Sequence, residues 1–141
     1  MELNGTTIIK RPADVVFAYV NDLSNDAYWR AQLDESGWRS DESFSPGTIG
    51  YSRVGSQEIE WRAITYIPCE RIEWEYLNGP FRGRGGYYLV PVDGGTQFTM
   101  VADIEPIGRY RLLRPLFVWM VGRQNQADVE KLRDILESTT D

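Results

Sequence analysis

The chain contains no histidine, and that absence removes several chemistries together. Ser-His-Asp and Cys-His nucleophile pairs cannot be built, nor can zinc sites of the HExxH type. Acid–base work near neutral pH would fall to Asp, Glu, Lys or Tyr with a displaced pKa. Cysteine is nearly absent too. Cys69 alone permits no internal disulfide and no thiol cluster for a metal, so neither metal nor cofactor is expected. Basic residues are outnumbered 15 to 21, leaving a net charge of −6, which argues against a nucleic-acid surface. No run approaches the roughly 18 apolar residues of a spanning helix. The opening "MELNGTTIIK" lacks the charged-then-apolar layout of a secretory leader, and a cytoplasmic location is expected. Repeats, low-complexity tracts and linkers are missing as well. One domain, residues 1–141, is the expectation for this length.

Aromatic residues, by contrast, are plentiful at 13%, with five Trp and eight Tyr. They occur in a chain whose pattern changes twice. "LNGTTIIK" is a short β-rich run. "RPADVVFAYVND" follows, with Pro12 and Asp14 suited to a helix start and Val16, Phe17 and Val20 at helical spacing. "LSNDAYWRAQL" reads as a second short helix capped by Ser24 or Asn25. From Asp34 to Glu105 the period becomes two. Pro46-Gly47, Gly55-Ser56, Pro68, Asn78-Gly79-Pro80 and Asp93-Gly94-Gly95 divide the stretch into about six strands of an antiparallel meander. Beyond Pro106 the pattern is helical again, and one long helix is predicted near residues 115–137.

Pairing the hairpins gives the sheet two different faces. A turn at 92–95 sets Leu89 against Phe98, Tyr87 against Met100 and Gly85 against Ala102. A turn near 78–79 sets Tyr76 against Phe81, Trp74 against Gly83 and Ile72 against Gly85, with Glu75–Arg82 and Glu73–Arg84 as opposite-charge pairs behind them. Ile59, Trp61, Ala63, Thr65 and Ile67 extend the apolar face. Gly83, Gly85 and Gly86, unusual just before "YYLV", give the strands room to bend around large rings. Phe117, Val121, Val129, Leu132 and Leu136 approximate one stripe on the last helix, with Glu130, Lys131, Arg133 and Asp134 on its far side.

"RPADVVFAYVNDLSNDAYW", "YIPCERIEW", "GGTQFTM" and "EPIGRYRLLRPL", in that order along essentially the whole chain, resemble the START-like SRPBCC superfamily, in particular its polyketide cyclase/dehydrase and lipid-transport group. The resemblance implies an α+β helix-grip fold: a curved seven-stranded antiparallel sheet wrapped around a long C-terminal helix, with two short helices after the first strand and a ligand cavity between sheet and helix. It implies no particular reaction, because the superfamily holds binders, transporters and enzymes.

The expected cavity wall is Trp61, Ala63, Thr65, Trp74, Tyr76, Tyr87, Leu89, Phe98, Met100, Phe117 and Val121, although the same rings would also serve as plain core. This inward set carries tyrosine hydroxyls, indole N–H groups and Thr65 but no charged side chain. It therefore favours a non-catalytic carrier or binder of a hydrophobic or polyaromatic molecule, lipid or polyketide-like, whose binding varies little between pH 5 and 8. The alternative is an aromatase/cyclase-type enzyme that folds a poly-β-ketone, with Tyr76, Tyr87 or Arg62 handling protons. "RGRGG" imitates an RNA-binding tract, but both arginines oppose acids and no nucleic-acid partner is expected. "RLLRPLFVWMVGR" reads as the start of a buried helix or as a lip touching a membrane surface, without stable insertion. Asp22 and Asn25, with Trp29, resemble the family's helix-connecting "D…N…W" pattern, which implies capping and packing roles, and Cys69 is assigned to an inert turn. Composition leaves the oligomeric state open.

Overall fold

The computed structural model describes residues 3–39 and 44–139, so both ends of the 1–141 span and positions 40–43 lie outside the described residues. Seven strands form one antiparallel sheet: β1 (Gly5–Ile9), β2 (Glu35–Trp38), β3 (Ile49–Val54), β4 (Gln57–Ile67), β5 (Arg71–Tyr76), β6 (Phe81–Val92) and β7 (Gly95–Pro106). Their order is β1-β7-β6-β5-β4-β3-β2. Sequential hairpins build everything from β2 to β7, and β1 closes onto the last strand. The helices are α1 (Ala13–Asn21), α2 (Asp26–Trp29) and α3 (Arg114–Ser138), with 3₁₀ turns at Leu23–Asn25 and Gly108–Leu113. Pro12 caps α1 and Pro115 lies in the first turn of α3, where a missing N–H costs nothing. Asp22 accepts from Ser24 N at the head of the first 3₁₀ turn, as its capping assignment requires.

The β6–β7 register is as read from the sequence, with Leu89 opposite Phe98 and Tyr87 opposite Met100. The β5–β6 register differs by two residues: Trp74 faces Gly85, Ile72 faces Tyr87 and Glu75 faces Arg84. The loop after Tyr76 is longer than a tight turn, which lets the strands slide. A slip of two keeps every side chain on its face, and each arginine still meets an acid, Arg82 opposite Glu105 and Arg84 opposite Asp103.

The β4–β5 register departs more seriously. A bulge between Ala63 and Thr65 inserts one residue and reverses the alternation beyond it. Thr65 and Ile67 therefore leave the concave face. Thr65 pairs with Glu73 on the convex side, while Tyr66 turns inward opposite Ile72 and meets Phe17 at 5.7 Å between ring centroids.

Close approach of strand to ring explains two glycines. A Cβ on Gly85 would lie 2.8 Å from the Trp74 indole, and one on Gly50 would lie 2.5 Å from that of Trp61. Each tryptophan lies over a glycine of the neighbouring strand, and the sheet accepts two indoles on its concave face without being pushed apart.

Helix α3 crosses that face. Its C-terminal half packs Val129, Leu132 and Leu136 into a core with Ile9, Val16, Val20, Trp29, Leu89, Phe98 and Met100. Its N-terminal half meets a smaller cluster of Leu3, Ala102 and Ile104 through Phe117, Val118 and Val121. Asn125 sits at the junction and donates to the Leu3 carbonyl at 2.8 Å.

Candidate functional site

Under the N-terminal half of α3 the sheet and helix part around a cavity of about 690 Å³, within the roughly 300–1,000 Å³ typical of small-molecule sites. Trp61, Trp74, Tyr76 and Tyr87 wall it from the sheet and Phe117 and Val121 from the helix. Ile59, Phe81, Ala102 and Ile104 add to the apolar lining, and Tyr110, Trp119 and Met120 line it as well. The remaining predicted wall residues lie elsewhere. Ala63, Leu89, Phe98 and Met100 are buried in the core, because Trp29 fills that end of the concave face and stacks edge-on against Phe98 at 5.9 Å. Thr65 is on the convex face, for the reason given above. Arg62 also points outward, where it hydrogen-bonds Glu75 at 3.0 Å.

The expectation of an uncharged wall is overturned. Asp26, Arg30 and Asp128 line the cavity beside Tyr87. Arg30 Nη1 donates to Tyr87 Oη at 3.0 Å, and Arg30 Nε lies 3.7 Å from Asp128 Oδ2. Asp128 Oδ1 accepts from Gln124 Nε2 at 2.7 Å and from Ala31 N at 3.2 Å. The guanidinium rests over the Trp29 ring at 5.6 Å. Two buried polar atoms of this group, Asp26 Oδ1 and Arg30 Nε, have no hydrogen-bond partner.

Burial pushes the Asp26 carboxyl from 3.8 to about 6, the nearby Arg30 charge and a hydrogen bond from Ser36 only partly opposing it. Asp128 is raised for the same reason, held back by Gln124, Arg30 and Ala31 N. Burial also raises the Tyr87 hydroxyl, against the Arg30 charge. Burial alone would lower the Arg30 pKa, but Tyr87, Tyr76, Asp26 and Asp128 more than offset it, so the guanidinium stays charged. The site thus joins an aromatic chamber to one polar corner that holds a cation, two carboxyls and a phenol. Among the described residues no three His, Cys, Asp or Glu side chains gather as a metal site.

Part of this corner had a sequence signal. From Val121 to Leu132 the inward stripe steps through Asn125 and Asp128 at helical spacing, which places both between apolar neighbours. Asp26, Trp29 and Arg30 also share one side, but a four-residue helix is too short for that spacing to give a signal.

A curved sheet gripping a long helix over a lined cavity defines a helix-grip fold. Residues 2–137 match the polyketide cyclase/dehydrase and lipid transport family, and the chain belongs to that family. Solved structures with the same fold include BH1534 of Bacillus halodurans, with TM-score 0.77, 15% identity and 97% of each chain covered. TTHA0849 of Thermus thermophilus is similar at TM-score 0.76 and 16% identity, covering 99% of this chain and 100% of that one. DynU16, described as a putative protein in the dynemicin biosynthetic locus, aligns at TM-score 0.68 and 17% identity over 97% of this chain and 47% of its own. No curated protein matches the sequence.

Proposed function

We propose that this protein binds a hydrophobic or polyaromatic small molecule that carries one polar end, and acts as a carrier or binder. The observation that carries the reading is the asymmetry of the cavity: rings and aliphatic groups line most of it, while Arg30, Tyr87, Asp26 and Asp128 meet at one corner. Apolar contact would supply most of the affinity, at roughly 25 cal/mol per Å² buried before association costs. The corner would set the orientation, Arg30 donating to a carbonyl, enolate or carboxylate oxygen. Native mass spectrometry of purified protein tests this directly, with N-phenyl-1-naphthylamine as a fluorescent probe of the cavity. A co-purified apolar molecule, or probe binding lost on Trp74→Ala, supports the reading. A protein that takes up neither excludes it.

A second reading, a cyclase, draws on Asp26. A buried carboxyl with a pKa of about 6 is suited to moving a proton near neutral pH. Its carboxylate would take a proton from the carbon next to a ketone, with Arg30 and Tyr87 holding the enolate oxygen. The enolate carbon would bond to a second carbonyl carbon of the same chain, and the Asp26 acid would return the proton to the alkoxide so formed. Turnover of a poly-β-ketone with a pH profile that Asp26→Asn abolishes would favour this reading over a carrier.

A further inference from the structure

Large apolar side chains are normally buried, and those that remain exposed are informative when they cluster. Here six of the exposed ones fall within eleven residues: Tyr110, Leu112, Leu113, Leu116, Trp119 and Met120. Leu112 is 86% exposed and Trp119 58%, so the sequence expectation of a buried helix start fails for this segment. The cause is geometric. Phe117, Val118 and Val121 take the inward positions of α3, and Leu116, Trp119 and Met120 are left largely exposed.

The same stretch is cationic in an acidic protein. From Pro106 to Ala127 there is no acidic residue but four arginines, at 109, 111, 114 and 123, all exposed. Arg109 and Arg123 lie against the Tyr110 and Trp119 rings at 5.7 and 5.3 Å, and Arg114 is held by Glu105 at 3.1 Å. Along a single helix the outer face thus changes from apolar with arginine to the mixed charges of Glu130, Lys131 and Asp134. Aromatic and aliphatic groups with a basic border match the pattern of elements that lie in the interface of an anionic bilayer. Acids concentrated elsewhere on the chain would be repelled by such a surface, which orients this end toward it. The patch is also continuous with the cavity, since Tyr110, Trp119 and Met120 line both.

We propose that the 3₁₀ turn Gly108–Leu113 and the first two to three turns of α3 dock on anionic lipid bilayers, bringing the cavity mouth to the acyl boundary. This goes beyond ligand binding itself, and among the described residues no helix is long and apolar enough to cross a membrane. The surface lies on the bilayer and does not span it.

Co-sedimentation with vesicles tests the proposal. The full chain is mixed with phosphatidylglycerol/phosphatidylcholine vesicles and with phosphatidylcholine alone, and N-phenyl-1-naphthylamine binding is measured on the same preparations. Binding is expected to the anionic vesicles only, to fall about fivefold for each of Arg109→Gln and Arg111→Gln, and to fall at least tenfold in Leu112→Glu/Leu116→Glu. Neither leucine lines the cavity, so that variant should keep its probe affinity and its far-ultraviolet circular dichroism. Ile8→Glu, at a comparably exposed residue of β1, should sediment like the parent. Absence of vesicle binding overturns the proposal, as does binding that Leu112→Glu/Leu116→Glu leaves intact. A dimer in sedimentation velocity that the same double variant dissociates would overturn it too, by assigning the patch to a second copy. Failure of the probe with vesicle binding preserved would count against the cavity reading alone.

Discussion

Replacing Asp26 with asparagine is expected to stabilise the protein, and to do so more as the pH rises. Asp26 is 4% exposed and its Oδ1 has no hydrogen-bond partner. Burial raises its pKa from the ordinary 3.8 to about 6, so the folded protein holds this proton more tightly than the unfolded chain does. Below about pH 4 both states are protonated, and the group contributes nothing against folding. Between about pH 4 and 6 only the folded state keeps the proton, and stability falls as the pH rises. Above the folded pKa the whole cost is in place, about 3 kcal/mol at 1.36 kcal/mol per pH unit. Asparagine has the same shape and no charge to bury. The attraction of Arg30 is already contained in that folded pKa, so a net gain of about 3 kcal/mol is expected at pH 7.5. Asp128 is displaced in the same direction but is present in both proteins and cancels in the comparison. Urea unfolding followed by tryptophan fluorescence at pH 4.5, 5.5, 6.5 and 7.5 measures the gap. It should be smallest at pH 4.5, at about a third of its full value, and widen until the pH passes about 6. A gap that does not vary with pH, or an Asp26→Asn protein less stable at pH 7.5, would show that Asp26 is ionised and stabilised by Arg30 in the fold.

Gly85→Ala places a methyl 2.8 Å from the Trp74 indole and should cost about 1–3 kcal/mol in urea unfolding through forced repacking; an unchanged midpoint would mean that the ring does not lie over that glycine. Trp74→Ala should weaken N-phenyl-1-naphthylamine by more than about 1 kcal/mol, while Glu73→Ala on the convex face leaves it nearly unchanged; equal effects would move the binding site elsewhere. Arg30→Met should lower affinity for dodecanoate about tenfold relative to dodecane-like probes, as expected for one charge-assisted hydrogen bond. If calorimetry shows both ligand classes affected alike, the corner has no orienting role.

Periodicity carried the fold well where strands alternate without interruption. Leu89, Tyr87 and Gly85 took their partners from a tight turn of known length, and a slip of two on the other side of β6 changed no face. Thr65 was misplaced because the bulge at Ile64 leaves no mark in "AITYI", in which every residue suits a strand. The aromatic half of the site was legible from Trp61, Trp74, Tyr76, Tyr87, Phe117 and Val121. Of the charged half only Asp128, on the inward stripe of α3, was legible; Asp26 and Arg30 were not. Asp and Arg are normally solvated, and a single helical turn such as α2 offers too little periodicity to show that Asp26 and Arg30 face inward. Their burial is set by partners distant in sequence, Tyr87 and Asp128.

Strand β1 has a consequence for how the chain must be made. Gly5 pairs with Met100, and Asn125 of α3 reaches back to the Leu3 carbonyl. On a ribosome, β2 to β6 can each join the hairpin just completed, whereas β1 emerges first and finds its partner only when β7 follows. Until then the concave rings face water without their roof. Closing so long a loop is entropically slow, so nascent chains should linger as an open half-barrel of exposed indoles. That interval, rather than the finished protein, is when aggregation or chaperone capture would act on this sequence.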